Sequence, residues 1–300
     1  MLSKSGFQGT KQRYHCHSCQ KRFVFRKIVA ASTLWHDYIF GKQTLVQLSE
    51  KYQISVSSVQ RLLNAQKTVR IISRQKAVVV LMDATYWGRN FGVLVFKDAH
   101  RKKILWRKFV RYEAVADYFE GIEWLEQNGF KIQALVCDGL RGLFSLSARY
   151  KVQMCQYHQM KIVQRYLTLR PDLEASKELL AIVRLLTHTD KESFIGLFEE
   201  WISKWDTFLK ERSIDNKTKK SRYTHKKLRS AYLSLKRNMP YLWTFYDYPQ
   251  LNIPNTNNGL EGQFTDLKSK LRNHNGLSKK QRKLFIDEYF RYKNTAYFDH

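Results

Sequence analysis

Residues 77–88 read AVVVLMDATYWG, a valine-rich apolar run that ends at an aspartate. A continuous apolar run of this length is typical of a strand that is buried on both faces of a sheet. The sequence therefore predicts a strand over 77–82, with Asp83 at its carboxyl end and a turn over 85–88.

The segments after this run predict the rest of a sheet. They are, in order, strands at 91–97 and 104–110, a helix at 113–127, a strand at 132–137, a short helix near 141–148 and a strand at 152–155. The order β-β-β-α-β-α-β is that of a ribonuclease H-like domain. We therefore predict an α/β fold whose core begins with residues 76–168.

Asp83 and Asp138 are each expected directly after a strand of this sheet. In the predicted order the first and fourth strands are neighbours, so the two carboxylates should meet at one end of the sheet. Adjacent carboxylates repel each other unless cations bridge them. Such oxygen ligands suit Mg²⁺ or Mn²⁺, and two such ions can hold the attacking and leaving oxygens of a phosphodiester. Each aspartate alone would instead be interpreted as a turn former or helix cap.

A third acid lies in the sequence PNTNNGLE at 254–261, which leads into an amphipathic helix. The apolar stripe of this helix is Leu260, Phe264, Leu267 and Leu271. Glu261 shares another face with Lys268 and Arg272, two cations that we predict to contact DNA. Because Asn258 and Glu261 have capping-box spacing, the glutamate could close the helix N-terminus instead of joining the two aspartates.

The overall charge predicts a polyanionic partner. The chain of 300 residues has 53 Lys and Arg against 26 Asp and Glu, a net charge of +27, and nucleic acid is the first expectation for such an excess. With 43% hydrophobic residues, the charge should lie on a folded body. The sequence contains no apolar run long enough for a membrane span and too few cysteines for a disulfide scaffold. We therefore expect a cytoplasmic protein without membrane contact.

Residues 29–70 predict a helix-turn-helix DNA-binding domain. A helix near 34–40 is followed by a second one that Thr44 should cap, and Ser55 should cap a third. In the third helix Val56, Val59, Leu62 and Leu63 are expected to face inward. The outward residues of its N-terminal half, where recognition helices contact base edges, are Ser57, Ser58, Gln60 and Arg61. A plain helical hairpin is the alternative.

Residues 1–28 form a basic segment with two cysteines, Cys16 and Cys19, at the spacing of a zinc knuckle. One knuckle is half a zinc site, so His15 or His17 would have to complete it. Two reduced cysteines in a basic arm are the other interpretation. The segment also looks like the second half of a zinc ribbon whose first knuckle would lie upstream of Met1.

Between the two parts of the core, residues 169–250 show helical periodicity and predict an all-α insertion. The stretch 217–237 contains nine lysines and arginines and no acid, interleaved with tyrosines. This pattern favours a face that follows phosphates, with Lys226, Lys227 and Arg229 as contacts. A solvated helix face is the alternative. Residues 251–300 should complete the core and supply the third acid.

The chain resembles the Mutator-like superfamily of bacterial insertion-sequence transposases over nearly its whole length. The matching motifs are LMDATYWG around Asp83, VCDG around Asp138 and NTNNGLEG around Glu261. The pair Cys155 and His158 adds a Cys-x-x-His motif that is typical of the superfamily, and we expect no zinc there because two further ligands are not in evidence.

This resemblance implies a DDE transposase with Asp83, Asp138 and Glu261 as catalytic ligands for Mg²⁺ or Mn²⁺. Its partners would be the terminal inverted repeats and target DNA, and a homodimer or higher oligomer on DNA is expected. A catalytically inactive, domesticated DNA-binding descendant is the main alternative. Another nuclease of the same fold, such as a resolvase or a ribonuclease acting on hybrids, is a second one.

Overall fold

The computed structural model describes residues 1–25, 29–65, 77–214 and 219–295. Its contacts divide the chain into two compact units. The first unit comprises Met1–Arg70 with Leu267–Tyr292, and the second comprises Ile71–Asp266 with Lys293–His300. None of the helices in the described ranges combines the length and the apolar character that crossing a bilayer requires.

The first unit begins with a three-stranded antiparallel sheet. Its strands are β1 (Leu2–Gln8), β2 (Lys11–Cys16) and β3 (Arg22–Val24). The Tyr14 and Phe25 rings meet edge to face with centroids 4.8 Å apart. The segment predicted as a basic arm with a zinc knuckle thus contains a small sheet with aromatic contacts.

Three helices follow in the first unit, α1 (Ala31–Ile39), α2 (Leu45–Tyr52) and α3 (Val56–Ala65). The predicted capping box of α2 is confirmed, since Thr44 Oγ1 accepts the Gln47 N–H at 3.3 Å and Gln47 Oε1 accepts the Thr44 N–H at 2.8 Å.

The third helix is capped by Ser55, whose Oγ accepts the N–H of Ser58 at 3.2 Å. Val59 and Leu63 are buried as predicted. Val56 is 38% exposed, so its predicted inward orientation is wrong. It is the first residue of α3 and lies one turn ahead of the buried stripe.

Helix α11 (Lys279–Thr295) packs on the early helices through aromatic rings. Phe285 lies 6.5 Å from Trp35 between ring centroids, and Tyr289 stacks on Phe40 at 5.9 Å. Residues 267–292 therefore belong to the first unit. The sequence predicts residues 251–300 as part of the core. It gives no local sign of the contact between Phe285 and Trp35, which lie 250 residues apart.

The second unit contains a five-stranded sheet in the order β6-β5-β4-β7-β8. Its strands are β4 (Ala77–Tyr86), β5 (Gly92–Asp98), β6 (Ile104–Val110), β7 (Lys131–Cys137) and β8 (Lys151–Met154). The β4–β5 and β5–β6 pairs are antiparallel, whereas β7 runs parallel to both β4 and β8. Helix α4 (Val115–Gln127) connects β6 to β7, and a 3-10 segment (Arg141–Ala148) connects β7 to β8. The first and fourth strands of this sheet are thus neighbours, as predicted.

Strand β4 continues past Asp83 to Tyr86, so the predicted strand end at Asp83 and the turn at 85–88 are wrong. Asp83 pairs with Val95 of β5, while the parallel pairing of β4 with β7 stops at Leu81. The β-branched and aromatic residues after Asp83 extend the antiparallel hairpin. At Asp83, β4 is therefore still paired with β5 on one side but no longer with β7 on the other.

The helical part of the second unit has its own core. Its helices are α5 (Gln156–Leu167), α6 (Glu174–Arg184), α7 (Lys191–Lys210), α8 (Lys226–Leu242) and α9 (Thr244–Asp247). Leu179, Phe194 and Leu235 are fully buried in it. A short antiparallel pair, β9 (Arg212–Ile214) with β10 (Ser221–Tyr223), interrupts the helices, which corrects the all-α expectation. Helix α10 (Asn258–Arg272) follows and carries the predicted apolar stripe, which is buried.

We expect two helical glycines of the second unit to respond oppositely to alanine. A Cβ at Gly121 would lie 2.7 Å from the Phe96 ring and 2.8 Å from the Trp106 ring, whereas a Cβ at Gly196 meets nothing within 4 Å. Gly121→Ala should therefore lower the free energy of unfolding by about 1–3 kcal/mol. Gly196→Ala should raise it by up to about 1 kcal/mol. Urea denaturation of both variants measures the difference, and equal effects would contradict the packing described here.

Candidate active site

Asp83 is the most buried carboxyl of the candidate site, at 8% exposure. Burial, and next the charge of Asp138, raises the pKa of Asp83 from 3.8 to about 8, with smaller contributions from Glu261 and Glu113. One favourable contact opposes this shift, since Asp83 Oδ1 accepts the N–H of Ala84 at 2.8 Å. Asp83 therefore lies within the electrostatic reach of the two other predicted acids.

Asp138 directly follows the last residue of β7 and is half buried. Its Oδ1 accepts the N–H of Leu140 at 3.1 Å, which turns the chain toward the 3-10 segment. The aspartate-turn role that the sequence allowed is thus present. It leaves Oδ2 outside that hydrogen bond, so the turn does not use up the carboxylate.

Glu261 lies in the first turns of α10, with its Oε1 atom buried and 3.5 Å from His158 Nε2. The N–H of Glu261 donates to Asn257 O at 3.0 Å, which makes Asn257 the N-cap and Glu261 the fourth helical residue. The capping-box alternative between Asn258 and Glu261 is therefore wrong, because both residues already lie inside the helix. The glutamate side chain is available for the site.

Cys155, His158 and Glu261 form a compact cluster in which the ligand atoms all lie within 4.8 Å of one another. Burial raises the pKa of the Cys155 thiol to about 11, and its Sγ accepts the N–H of Asn257 at 3.2 Å. Three such ligands are one fewer than a closed tetrahedral zinc site requires. Glu261 is the neighbour of the Cys-x-x-His motif that the sequence did not identify.

Glu113 is a fourth acid at this site that sequence reasoning missed. Burial, and next the charge of Asp138, raises the pKa of Glu113 above its usual range. The hydroxyl of Tyr118 donates to Glu113 Oε1. The sequence placed Glu113 at a helix start, where acids are common, but α4 begins only after the N-cap Ala114. No local pattern distinguishes an acid that turns inward from one that favours the helix N-terminus.

Two buried polar side chains fix α10 to the sheet. Asn257 Nδ2 donates to Met82 O, adjacent to Asp83, at 3.1 Å. Lys97 Nζ donates to Gly259 O at 2.8 Å, and burial lowers the pKa of this lysine to about 8. Sequence reasoning missed both residues, since their partners lie 175 and 162 residues away along the chain. These contacts position Glu261 relative to β4.

The two N-terminal cysteines are not part of a larger cluster of candidate ligands. Cys16 ends β2 and Cys19 follows in an exposed turn, and hydrogen bonding with Cys19 lowers the pKa of Cys16. His17 Nε2 lies 2.9 Å from Ser3 Oγ, in a hydrogen bond. In residues 1–25 no third histidine, cysteine or acid joins them within ligand distance.

The predicted DNA contacts of the first unit lie at or near its surface. On α3, Ser57, Gln60 and Arg61 are exposed, while Ser58 is half buried with its Oγ 2.9 Å from that of Ser55. On α10, Arg272 is exposed and Lys268 is half buried.

In the basic stretch of the second unit, residues 217 and 218 lie outside the described ranges. Lys226 and Lys227 are exposed in the first turn of α8. Arg229 is half buried, and its guanidinium lies 3.9 Å from the centroid of the Tyr223 ring. The two lysines are thus the more accessible members of the predicted set.

The raised pKa of Asp83 predicts how stability depends on pH. Because the folded pKa exceeds the unfolded one, the stability that protonated Asp83 contributes is complete below pH 3.8 and is lost as the pH rises toward 8. In EDTA, wild-type stability should thus include a decline of up to about 1.4 kcal/mol per pH unit in this window. Asp83→Asn should remove that component in urea denaturation between pH 4 and 8. The exposed control Asp206→Asn should keep it, and an unchanged decline in Asp83→Asn would contradict the raised pKa.

Among known proteins, the similarities to this chain are to solved structures. No protein-family model matches the chain. No curated protein matches it. Among solved structures, a Drosophila P element transposase strand transfer complex is similar at 12% identity and a TM-score of 0.44, over 91% of this chain and 94% of that chain. A simian T-cell lymphotropic virus intasome, in complex with PP2A regulatory subunit B56 gamma, is similar at 12% identity and a TM-score of 0.22, over 53% of this chain and 69% of that chain. The function of this chain is therefore inferred from its own residues.

Proposed function

We propose that this chain is a DDE transposase, a metal-dependent enzyme that binds the terminal repeats of an insertion sequence and cleaves and joins DNA strands. The observation that carries the proposal is the buried carboxyl of Asp83, on which the charges of Asp138 and Glu261 act. A fold gains no stability from bringing like charges together in a buried place. Strongly perturbed carboxyls of this kind are characteristic of functional sites.

The strand order supports a ribonuclease H-like catalytic domain. A meander of three antiparallel strands is extended by two parallel strands on the side of β4, and Asp83 and Asp138 belong to the neighbouring strands β4 and β7. The helices α6 to α8 come between β8 and α10 in the sequence. This arrangement supports a core that is interrupted by an insertion before the third acid.

The donor set fits Mg²⁺ or Mn²⁺. Asp83, Asp138 and Glu261 offer hard carboxylate oxygens, and Glu261 Oε1 is buried without a hydrogen-bond partner within the described residues. When bound, such ions polarise a phosphoryl oxygen and lower the pKa of coordinated water. A bound cation would also favour the ionised form of Asp83, which burial disfavours.

The chain's own residues hold these carboxylates in place. The N–H of Ala84 donates to Asp83 Oδ1, and the N–H of Leu140 donates to Asp138 Oδ1. His158 lies against Glu261, and Asn257 joins the start of α10 to the strand of Asp83. Burial excludes water from Asp83, which would strengthen the attraction of its carboxylate to a bound metal cation.

The first unit supplies the proposed sequence recognition. Two short, capped helices, α2 and α3, follow each other closely, which supports the proposed helix-turn-helix, and Gln60 and Arg61 are exposed in α3. A glutamine amide, with a donor and an acceptor, and an arginine guanidinium, with two parallel donors, are both suited to read base edges. The exposed Lys226 and Lys227 of the second unit are suited to phosphate contacts, which position DNA without reading it.

We expect Asp83→Asn, Asp138→Asn and Glu261→Gln each to abolish nicking of supercoiled DNA in Mn²⁺, because each removes a metal ligand. The loss should exceed the factor of about 10–100 that is usual for outer partners of a metal site. DNA binding in EDTA should stay near the wild-type value, because no phosphate contact is removed.

The matched control is Glu174→Gln, which neutralises an exposed carboxylate on α6 and should nick like the wild type. Near-native nicking by Glu261→Gln would leave Glu261 outside the metal site. A wild-type protein that binds DNA but never nicks it would favour the inactive, regulatory alternative.

We expect sequence reading and phosphate contact to separate in binding titrations. With DNA selected by the wild type from a random pool, Gln60→Ala with Arg61→Ala should reduce the preference over random DNA by about 1–3 kcal/mol per lost base contact. Lys226→Ala with Lys227→Ala should weaken all DNA alike. That pair should also make the slope of log affinity against log salt shallower by about one unit per contact. The reverse pattern would assign the reading surface to α8.

A further inference from the structure

A cavity of about 380 Å³ opens beside Asp138, between the start of the 3-10 segment and helices α5 and α8. Asp138 and His158 belong both to its wall and to the candidate active site. The remaining charged groups of the wall are all cationic: Arg141, Lys161, Arg165 and Arg237. We call this set the arginine pocket.

The floor of the arginine pocket is a buried hydrogen-bond network that joins α5 to α8. Asn238 Nδ2 donates to Gln159 Oε1 at 2.8 Å, and Gln159 Nε2 donates to Ser234 Oγ at 3.3 Å. All three side chains are at most 3% exposed. Because satisfied buried polar networks are rigid, the backbone positions of Lys161 and Arg165 on α5 are fixed relative to that of Arg237 on α8.

Within the described part of the chain, no ion pair with an acid neutralises the cations of the pocket. Over residues 77–214 and 219–295, no ion pair involves Arg141, Arg165 or Arg237. Lys161 contacts Gln164 Oε1 at 3.4 Å and the Tyr157 ring at 5.1 Å from its centroid, and neither partner is an acid. Among the lining residues the only carboxylate is Asp138. Four cations held around one cavity repel one another, and an anionic ligand would relieve that repulsion.

We propose that the arginine pocket is a phosphate-binding subsite that holds the backbone of the DNA strand next to the linkage that reacts. This inference rests on the proposed function, because it takes the acids as the reacting centre. Guanidinium groups bind phosphate oxygens through two parallel hydrogen bonds, and three of the four cations are arginines. A strand in the pocket passes Asp138, since that residue is part of the wall.

The size of the pocket favours one nucleotide unit. Its volume lies near the lower end of the roughly 300–1,000 Å³ of small-ligand sites. Tyr166, which also lines it, is 38% exposed and offers a ring on which a base can stack. Free nucleotides present the same phosphate chemistry, but the shared wall at Asp138 favours a strand that continues into the site.

The test measures, with the full chain in EDTA, whether the effect of neutralising one DNA linkage depends on the pocket cations. We call such a dependence coupling. Arg165→Gln with Arg237→Gln removes two pocket cations, and the matched control, Arg170→Gln with Arg184→Gln, removes two exposed arginines outside the pocket. Each protein is titrated with a set of duplexes that carry a short unpaired 3′ extension. In each duplex a single linkage is a neutral methylphosphonate.

We expect one or two linkages at which the neutral group weakens binding of the wild type and the control about tenfold or more, as for charged hydrogen bonds. In the pocket variant the same substitutions should have no effect, because the partner is already lost. The pocket variant should also show a shallower salt dependence than the control with these DNAs. Equal behaviour of the pocket variant and the control at every linkage would overturn the subsite.

Two further measurements separate the alternatives. Labelled ATP that binds the wild type but not the pocket variant, without coupling at any linkage, would overturn the DNA strand as the ligand and assign the pocket to free nucleotides. Nicking by the wild type without coupling would overturn the subsite and leave the proposed function intact. Coupling without nicking would support the subsite and overturn the proposed function.

Discussion

The structure depends on keeping one ionisable carboxyl, that of Asp83, buried in the middle of a sheet strand. The charges of Asp138, Glu261 and Glu113 all oppose its ionisation, and burial opposes it most. Such a group lowers stability near neutral pH unless a cation or a proton joins it. The surrounding apolar strands must therefore supply the stability, which accounts for a β4 whose residues from Val78 to Met82 are at most 4% exposed.

The acids reach this place from distant parts of the sequence, and a few polar contacts bring them together. Asn257 bonds to Met82 O with its side chain and to Cys155 Sγ with its backbone N–H. One residue thus links the strand of Asp83, the start of α5 and the start of α10. Lys97 adds a second link, from β5 to Gly259. Buried donors with such partners are costly to remove, so they restrict how far Glu261 can move from β4.

Much of this architecture could be predicted from local sequence patterns. The apolar run at 77–82 and the segments after it predict five strands, and Thr44 with Gln47 predicts a helix start that the structure has. Periodicity also predicts the buried stripe of α10. These features depend on neighbours within a few residues, which is the range over which propensity and spacing act.

The errors and omissions have a common physical cause. Asp83 interrupts an apolar run and so suggests a strand end, yet pairing with β5 carries the strand on to Tyr86. A lysine is usually expected at the surface, yet Lys97 is buried because its Nζ donates a hydrogen bond to the carbonyl of Gly259, 162 residues away. Residues 1–24 have no clear alternation and still form a sheet through aromatic contacts. The partner of Lys97 is distant in sequence, while Asp83 pairs with Val95 and Tyr14 contacts Phe25, both beyond the few residues over which local patterns act.

In the second unit, the acids around Asp83 and the cations of the cavity beside Asp138 occupy different places. The chain has a net charge of +27, yet the cation buried close to the acids, Lys97, donates to a backbone carbonyl. Direct pairing of a lysine or arginine with Asp83 would lower its pKa and occupy its oxygens. In the described residues the cations are gathered instead in the cavity beside Asp138, and none of them pairs with Asp83. In the proposed function, the two sets of charge would then bind opposite partners, metal cations on one side and DNA phosphates on the other.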